Sequence, residues 1–185
     1  MITVGIDEVG RGCWAGPLVA GAVVLAEPIA GLKDSKKLSK KQREVLAFAI
    51  QEKALAIGTG WVAPKVIDEI GLTEAVRLAM RQALEQISIE YDEVVIDGHL
   101  NFLLDVPNTR ALIKADDLVP SVSAASIIAK VARDQYMTEV TAQFPGYGFE
   151  QHVGYGTALH LERLKLYGAC ELHRRSFKPI RALLQ

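Results

Sequence analysis

The stretch Ile6-Asp7-Glu8-Val9-Gly10-Arg11-Gly12-Cys13-Trp14-Ala15-Gly16-Pro17 decides how the rest of the chain is read. It ends an apolar run, Met1 to Ile6, on two adjacent carboxylates and follows them with an arginine between glycines. Successive strand residues point to opposite faces, so Asp7 and Glu8 can serve one centre only near a strand end or a bulge. There, one can ligate a metal from the sheet face while the other reaches round from the edge. Gly10 and Gly12 free the backbone for positive φ and for close approach to a ligand. Exposed N–H groups beside an arginine suit an anionic partner. Taken alone, these residues would equally suit a surface turn with two solvated acids. The residues downstream decide between the two.

Ile2 to Asp7 reads as a strand, and Leu18 to Leu25 as a second, reached through the Gly16-Pro17 turn. Ser39 is placed to cap a helix running to about Gln51, with Val45, Leu46, Ala49 and Ile50 as its apolar stripe. Ala54 to Val62 is the third strand, with Gly58 and Gly60 as candidate bulges. A short helix, Lys65 to Ile70, ends at Gly71. The next helix, Thr73 to about Ile87, carries Ala75, Val76, Ala79, Met80, Ala83, Leu84 and Ile87 on one face. Glu93 to Asp97 is an apolar strand ending in an aspartate, the usual location of active groups in open α/β sheets. Thr109 to Ile113 is the fifth strand, leading to Lys114-Ala115-Asp116-Asp117. A helix from Ser121 to about Phe144 opens with the small residues SVSAAS, which would let it lie close on a sheet. Two glycine-tyrosine loops follow, one of them Gln151 to Thr157, then a helix from Ala158 to Tyr167. The tail is expected to dock Ile180, Leu183 and Leu184. This order predicts an α/β fold, a mixed five-stranded sheet flanked by helices. One domain over 1–185 is expected, with about 145–185 forming a C-terminal loop and helical part.

Half of the 185 residues are hydrophobic and 23% are charged, enough for a real core. No run is long and apolar enough to span a bilayer, and no basic leader with an apolar stretch opens the chain. Two cysteines, Cys13 and Cys170, give no disulfide framework and no zinc spacing, so a reducing, cytoplasmic setting is expected. No segment demands a partner, so a monomer is expected. Net charge is −1, which argues against a generally sticky nucleic-acid binder. Its distribution says more. Lys33 to Arg43 and Arg163 to Arg181 are basic, while the middle of the chain is acidic. Basic flanks around an acidic centre suit a metal site with phosphate-holding walls.

Asp7, Glu8, Asp97 and Asp116 stand at three strand ends that a mixed sheet can bring together. Four carboxylates cannot all stay ionised in one place without cations. Hard oxygen ligands suit Mg²⁺ or Mn²⁺. Two such ions ~3.5–4 Å apart support phosphodiester cleavage. No P-loop and no G-x-S-x-G motif is present. His99, His152, His160 and His173 have no ligand spacing and read as hydrogen-bonded rather than catalytic.

The blocks IDEVGRGCWAGP, LKDSKKLSKKQRE, VVIDG, KADDLVPSVSAASIIAKVARD, HVGYGTALH and HRRSFKP, in this order from residue 2 to residue 179, closely resemble ribonuclease HII, of the type 2 ribonuclease H family. The resemblance implies the ribonuclease H-like fold and a metal-dependent endonuclease. Such enzymes cut the RNA strand of RNA–DNA hybrids and nick 5′ to single ribonucleotides in duplex DNA, leaving 3′-hydroxyl and 5′-phosphate ends. It implies Asp7, Glu8, Asp97 and Asp116 as the metal-binding and catalytic set, with the lysine-small-aspartate block favouring Asp116 over Asp117. Two-metal hydrolysis is the expected mechanism, with Asp7 shared, Glu8 and Asp97 on one ion and Asp116 on the other. It makes Gly10-Arg11-Gly12 the reader of the ribonucleotide's 2′-OH and Tyr155 the residue that stacks on the sugar after the junction. Ser35, Lys36, Arg174 and Arg175 are candidate phosphate contacts. One departure stands out: Val153 occupies a place where the family often has lysine, which removes a possible phosphate contact. No long N-terminal extension of the type III kind is seen, so type II is the expectation. No obvious clamp-binding tail follows Leu184, which leaves a replication-clamp contact open.

Overall fold

The computed structural model describes residues 1–184. Five strands form one mixed sheet: β1 (Thr3–Val9), β2 (Leu18–Leu25), β3 (Ala54–Val62), β4 (Glu93–Asp97) and β5 (Thr109–Leu112). Their order is β3-β2-β1-β4-β5. β1, β2 and β3 pair antiparallel, while β4 runs parallel to both β1 and β5. The helices are α1 (Lys40–Lys53), α2 (Pro64–Ile70), α3 (Leu72–Leu84), α4 (Ala115–Leu118), α5 (Pro120–Glu139), α6 (Phe149–His152), α7 (Ala158–Tyr167) and α8 (Lys178–Arg181). The mixed sheet with helices on both faces is the α/β architecture expected.

The two faces bury different side chains because strand residues alternate. Val4 and Ile6 of β1, with Val94 and Ile96 of β4, pack under the α3 stripe Ala75, Val76, Ala79, Met80 and Ala83. The opposite face carries α1 and α5, with Val23, Ile50, Ala124, Ala125 and Ile127 buried between them. The small start of α5 lies almost on the sheet. A Cβ on Gly5 would sit 2.2 Å from the Ser121 carbonyl carbon, and one on Gly21 2.5 Å from the Ala125 oxygen. Ser39 caps α1 through a reciprocal bond with Gln42, as its spacing requires.

Several expectations are corrected. Gly58 and Gly60 make no bulge: β2–β3 register runs unbroken through them, and the irregularity falls at Val24/Leu25. They are where α3 comes down on β3, since a Cβ on Gly60 would lie 1.8 Å from the Ala79 oxygen. Val45 is 62% exposed, and Ala47 joins Ile50 as the buried face of α1. The partner there is the small-residue surface of α5, which accepts a small side chain. The segment Gln151 to Thr157 begins inside α6 rather than as open loop. Ile180 docks as expected, but Leu183 and Leu184 stay exposed. No helix among the described residues is long and apolar enough to cross a membrane.

β1 positions the site. Its pairing with β2 continues to Val9↔Val19, but its pairing with β4 stops at Ile6↔Ile96. Asp7 and Glu8 therefore lie on a strand that has lost its neighbour on the β4 side, the strand-end geometry that two adjacent carboxylates need.

Candidate active site

Asp7, Asp97 and Asp116 converge at this open edge. One carboxylate oxygen from each lies within 4.8 Å of the others. Asp7 and Asp97 project on the α5 face, and α4, packed beneath Val95 and Val122, brings in Asp116. The Asp116 N–H donates to Asp97 Oδ1 at 3.4 Å, and the Ser123 hydroxyl donates to the Asp116 carbonyl at 2.6 Å. Asp117 points elsewhere, to Lys37 Nζ at 2.5 Å. Glu8 alternates to the other face. Its Oε1 meets Arg11 Nη1 at 3.1 Å, and its Oε2 is buried with no hydrogen-bond partner among the described residues.

The electrostatics of this group are unfavourable as they stand. Burial, then the Glu8 charge, raises the Asp7 pKa well above the usual carboxylate range, and Asp97 adds to the rise. Burial, then Asp97, pushes Asp116 up to about 6. Glu8 is also raised, by burial, against the opposing pull of Arg11. Clustered oxygen donors, with the ionisation of Asp7 and Asp116 disfavoured, beside a buried carboxylate oxygen that has no partner among the described residues, fit a hard divalent cation.

The glycine-arginine-glycine turn leaves β1 directly beside these acids. Gly10 has φ +93°, a conformation that favours glycine, and a Cβ there would strike the Arg133 side chain at 2.5 Å. Gly12 is not in the left-handed region and faces open space, so its glycine keeps the surface clear rather than allowing a strained turn. Arg11 is exposed, with its guanidinium 5.9 Å from the Phe102 ring centre.

Two buried arginines hold this turn. Arg133 donates from Nε to the Pro17 carbonyl at 2.8 Å, from Nη2 to Ala15 at 2.9 Å and from Nη1 to Val153 at 2.7 Å. It thus joins the turn after β1 to the tyrosine loop. Arg174 donates to the carbonyls of Gly16 and Arg11. Its placement corrects the expectation that it contacts phosphate, because it is fully buried and its donors are occupied by backbone. Arg133 was missed from sequence because a basic residue late in a helix reads as surface. The available signal was its spacing of four from Ala129 and Met137, both of which are buried.

The other expected contacts separate. Lys36 is exposed; burial opposes its charge, but Asp34 and then Asp7, Asp116 and Asp97 more than offset this and raise its pKa. Ser35 is buried, its hydroxyl 2.9 Å from that of Ser126, which in turn faces Asp7. That corrects it from a candidate phosphate contact to a buried residue behind the serine that faces Asp7. Arg175 has an exposed side chain, and its backbone N–H is held by Asp68 at 2.8 Å. Tyr155 is 38% exposed beside the turn, with Lys130 Nζ 5.2 Å and the Arg133 guanidinium 5.9 Å from its ring centre. Burial, then the neighbouring Cys13, pushes its phenol up to about 12.

Val153 carries strain in this loop. It is β-branched yet sits at φ 43°, ψ 36°. Its N–H on Phe149 at 3.0 Å and its carbonyl on Arg133 fix it there. Val153→Asn, which tolerates this conformation, is expected to stabilise the protein by about 1 kcal/mol. Calorimetry should record a rise of about 2–4 °C in Tm; an unchanged or lower Tm would count against strain at this position.

The comparisons with known proteins agree with this geometry. The family model described as Ribonuclease HII matches residues 4–180. Ribonuclease HII of Bacillus mycoides (strain KBAB4) is 49% identical over 183 residues, which are 98% of this chain and 70% of that protein. Among solved structures, the ribonuclease H2 from Pyrococcus horikoshii OT3 superposes with a TM-score of 0.84 at 29% identity, covering 99% of this chain and 97% of that one. The ribonuclease HII of Archaeoglobus fulgidus, solved in a complex with PCNA, gives 0.79 at 28% identity, covering 96% of each chain. With the carboxylates gathered at the open edge of β1 and this likeness running nearly end to end, the chain belongs to the ribonuclease HII family, metal-dependent endoribonucleases that act on RNA–DNA substrates.

Proposed function

We propose that this enzyme, besides cutting the RNA strand of hybrids, nicks duplex DNA on the 5′ side of a single embedded ribonucleotide, leaving 3′-hydroxyl and 5′-phosphate ends. The observation that carries the reading is the position of the glycine-arginine-glycine turn, which leaves the same strand that presents Asp7 and Glu8. A group that reads one 2′-OH is thereby tied to the group that cuts beside it.

Asp7 would be shared by two cations, with Glu8 and Asp97 on one and Asp116 on the other. Bound Mg²⁺ or Mn²⁺ would polarise the attacking water and neutralise charge on the departing 3′-oxygen. Glu8 Oε2, buried and without a partner among the described residues, supports a place for Glu8 in this set. Ser126 and the Glu8 N–H hold Asp7 in one orientation, the latter at 2.8 Å. Lys36, raised by the carboxylate field, and Arg175, exposed, would meet backbone phosphates. The backbone of Gly10 to Gly12 and the Arg11 guanidinium would contact the 2′-OH and its neighbouring phosphate, and Tyr155 would stack on the sugar that follows. The fold is expected to act as one unit over residues 1–185.

A labelled DNA duplex with one ribonucleotide, run on a gel with Mg²⁺, Mn²⁺ and EDTA lanes, tests this. One metal-dependent nick on the 5′ side is expected. Arg11→Ala should lower cleavage at the single ribonucleotide relative to a long hybrid by about tenfold, the scale of a lost charged hydrogen bond. Cleavage of the hybrid alone by the unaltered enzyme would refute the junction reading, and unchanged discrimination by the variant would remove Arg11 from it.

A further inference from the structure

Three histidines lie buried under the tyrosine loop, outside the carboxylate group: His152, His160 and His173. Their hydrogen bonds run in one direction. The Cys170 N–H donates to His173 Nδ1 at 3.0 Å, and the Cys170 thiol lies 3.2 Å from the same nitrogen. That nitrogen is an acceptor, so the His173 hydrogen sits on Nε2. His173 Nε2 is 3.0 Å from His160 Nε2. One hydrogen serves this contact, so His173 donates and His160 accepts. The His160 hydrogen is then on Nδ1, which donates to the Tyr155 carbonyl at 2.9 Å. That carbonyl also accepts from the Thr157 N–H.

His152 completes the grip. It stacks on His160 with ring centres 4.1 Å apart and planes 11° from parallel. The Gly154 N–H donates to its Nδ1 at 3.1 Å, and its Nε2 donates to the Tyr147 carbonyl at 2.9 Å. One imidazole thus holds the backbone just before Tyr155 and a second holds the backbone just after it. Burial lowers all three pKa values, to about 4 for His160 and His173, so the rings are neutral in ordinary buffers, as a one-way relay requires.

We propose that His160 and His173 are positioning residues for Tyr155, a directional relay that carries the placement of the Cys170–His173 segment to the tyrosine and so governs cleavage at a single ribonucleotide. The inference rests on the reading of Tyr155 as the sugar-stacking residue. It explains why two imidazoles are buried where a pair of apolar side chains would fill the space. Breaking the relay at His173 frees His160 to move its hydrogen to Nε2. Two acceptors, His160 Nδ1 and the Tyr155 carbonyl, would then face each other.

The test separates a relay from simple packing. The side-chain amide of asparagine can stand where His160 Nδ1 stands and keep the donor to Tyr155. Glutamine carries its amide towards His173 and leaves the carbonyl behind. His160→Gln is expected to raise KM for the single-ribonucleotide duplex about tenfold with kcat nearly unchanged, the scale of one lost buried hydrogen bond. His160→Asn should stay within about twofold of the unaltered enzyme. Equal losses in both variants, in step with their Tm, would show packing alone and overturn the inference, as would no loss in either. Tyr155→Ala is run beside them. If it leaves junction cleavage unchanged, the reading of Tyr155 itself fails, a result distinct from failure of the relay. Nitrogen NMR of the unaltered protein gives a readout that needs no variant: hydrogen on Nδ1 of His160 and on Nε2 of His173 is expected, and the reverse would overturn the proposal.

Discussion

Asp7→Asn is expected to abolish cleavage and, in EDTA, to melt at a higher temperature than the unaltered enzyme. The loss of activity should be on the order of 10⁴-fold, the scale of removing one member of a group that acts as a unit. The gain in stability follows from the same carboxylate. An acid whose folded pKa is raised binds its proton more tightly in the folded state, so stability is lost as pH rises from the unfolded value through the folded one. For Asp116 that window runs from 3.8 to about 6, and Asp7, raised well above the same starting value by burial and then by Glu8, acts in the same direction. At Asp116 a shift of this size corresponds to roughly 3 kcal/mol before screening and about 1–2 kcal/mol after it. Asparagine does not titrate, and its oxygen can still accept the bonds that Asp7 takes from Ser126 and the Glu8 N–H. Metal-free enzyme should therefore lose stability as pH rises from about 4 through about 6, and Asp7→Asn should lose less. Added Mg²⁺ should restore the unaltered enzyme by binding the folded state alone. A variant that cuts at full rate, or one that melts below the unaltered protein in EDTA at pH 8, would refute the account.

Arg133→Met should have the largest effect on stability of any change outside the core strands. The methionine fills much of the same volume but removes the donor from the buried carbonyls of Pro17 and Ala15 and from the half-buried carbonyl of Val153. Each such group costs about 1–3 kcal/mol, and removing a buried charge offsets part of the sum. A net loss of about 3–5 kcal/mol and a fall in Tm of about 10 °C are expected. Because Arg133 also lies against Gly10 and the Tyr155 ring, protein kept folded in the cold should bind substrate more weakly. Arg133→Lys should recover only part of the loss, since one ammonium cannot serve three carbonyls set in a fork. Chemical denaturation gives the free energies; a loss below 1 kcal/mol would show that the two loops hold together without the arginine.

These two residues also mark what a sequence can and cannot disclose. Asp7 was legible only with the strand-end acids downstream, Asp97 and Asp116, and β2, β3 and β4 were legible to the residue because short apolar runs there are bounded by glycine, proline or charged residues. Arg133 and Arg174 were not, because basic residues belong on surfaces unless something buried needs donors. That need comes from carbonyls of a loop crowded by glycines, visible only after the chain has folded. The split of Asp7 and Glu8 onto opposite faces follows from alternation, but that Glu8 would rest against Arg11 depends on where the turn at Gly10 sends the chain. Val45 misled for a related reason. The buried face of α1, Ala47 and Ile50, was set by its contact with α5 rather than by which of its residues are apolar, since Val45 and Phe48 are exposed.

The antiparallel bridge between Ala15 and His173, with the Arg174 N–H on the Trp14 carbonyl and its guanidinium on Gly16 and Arg11, carries a consequence for biosynthesis. Every carboxylate of the cluster has been made by residue 116, and every strand by residue 112. The braces on the glycine-arginine-glycine turn come later, Arg133 first and Arg174 last. Synthesis proceeds from the N-terminus, so a nascent chain carries its clustered acids well before the residue that pins the neighbouring turn last, Arg174.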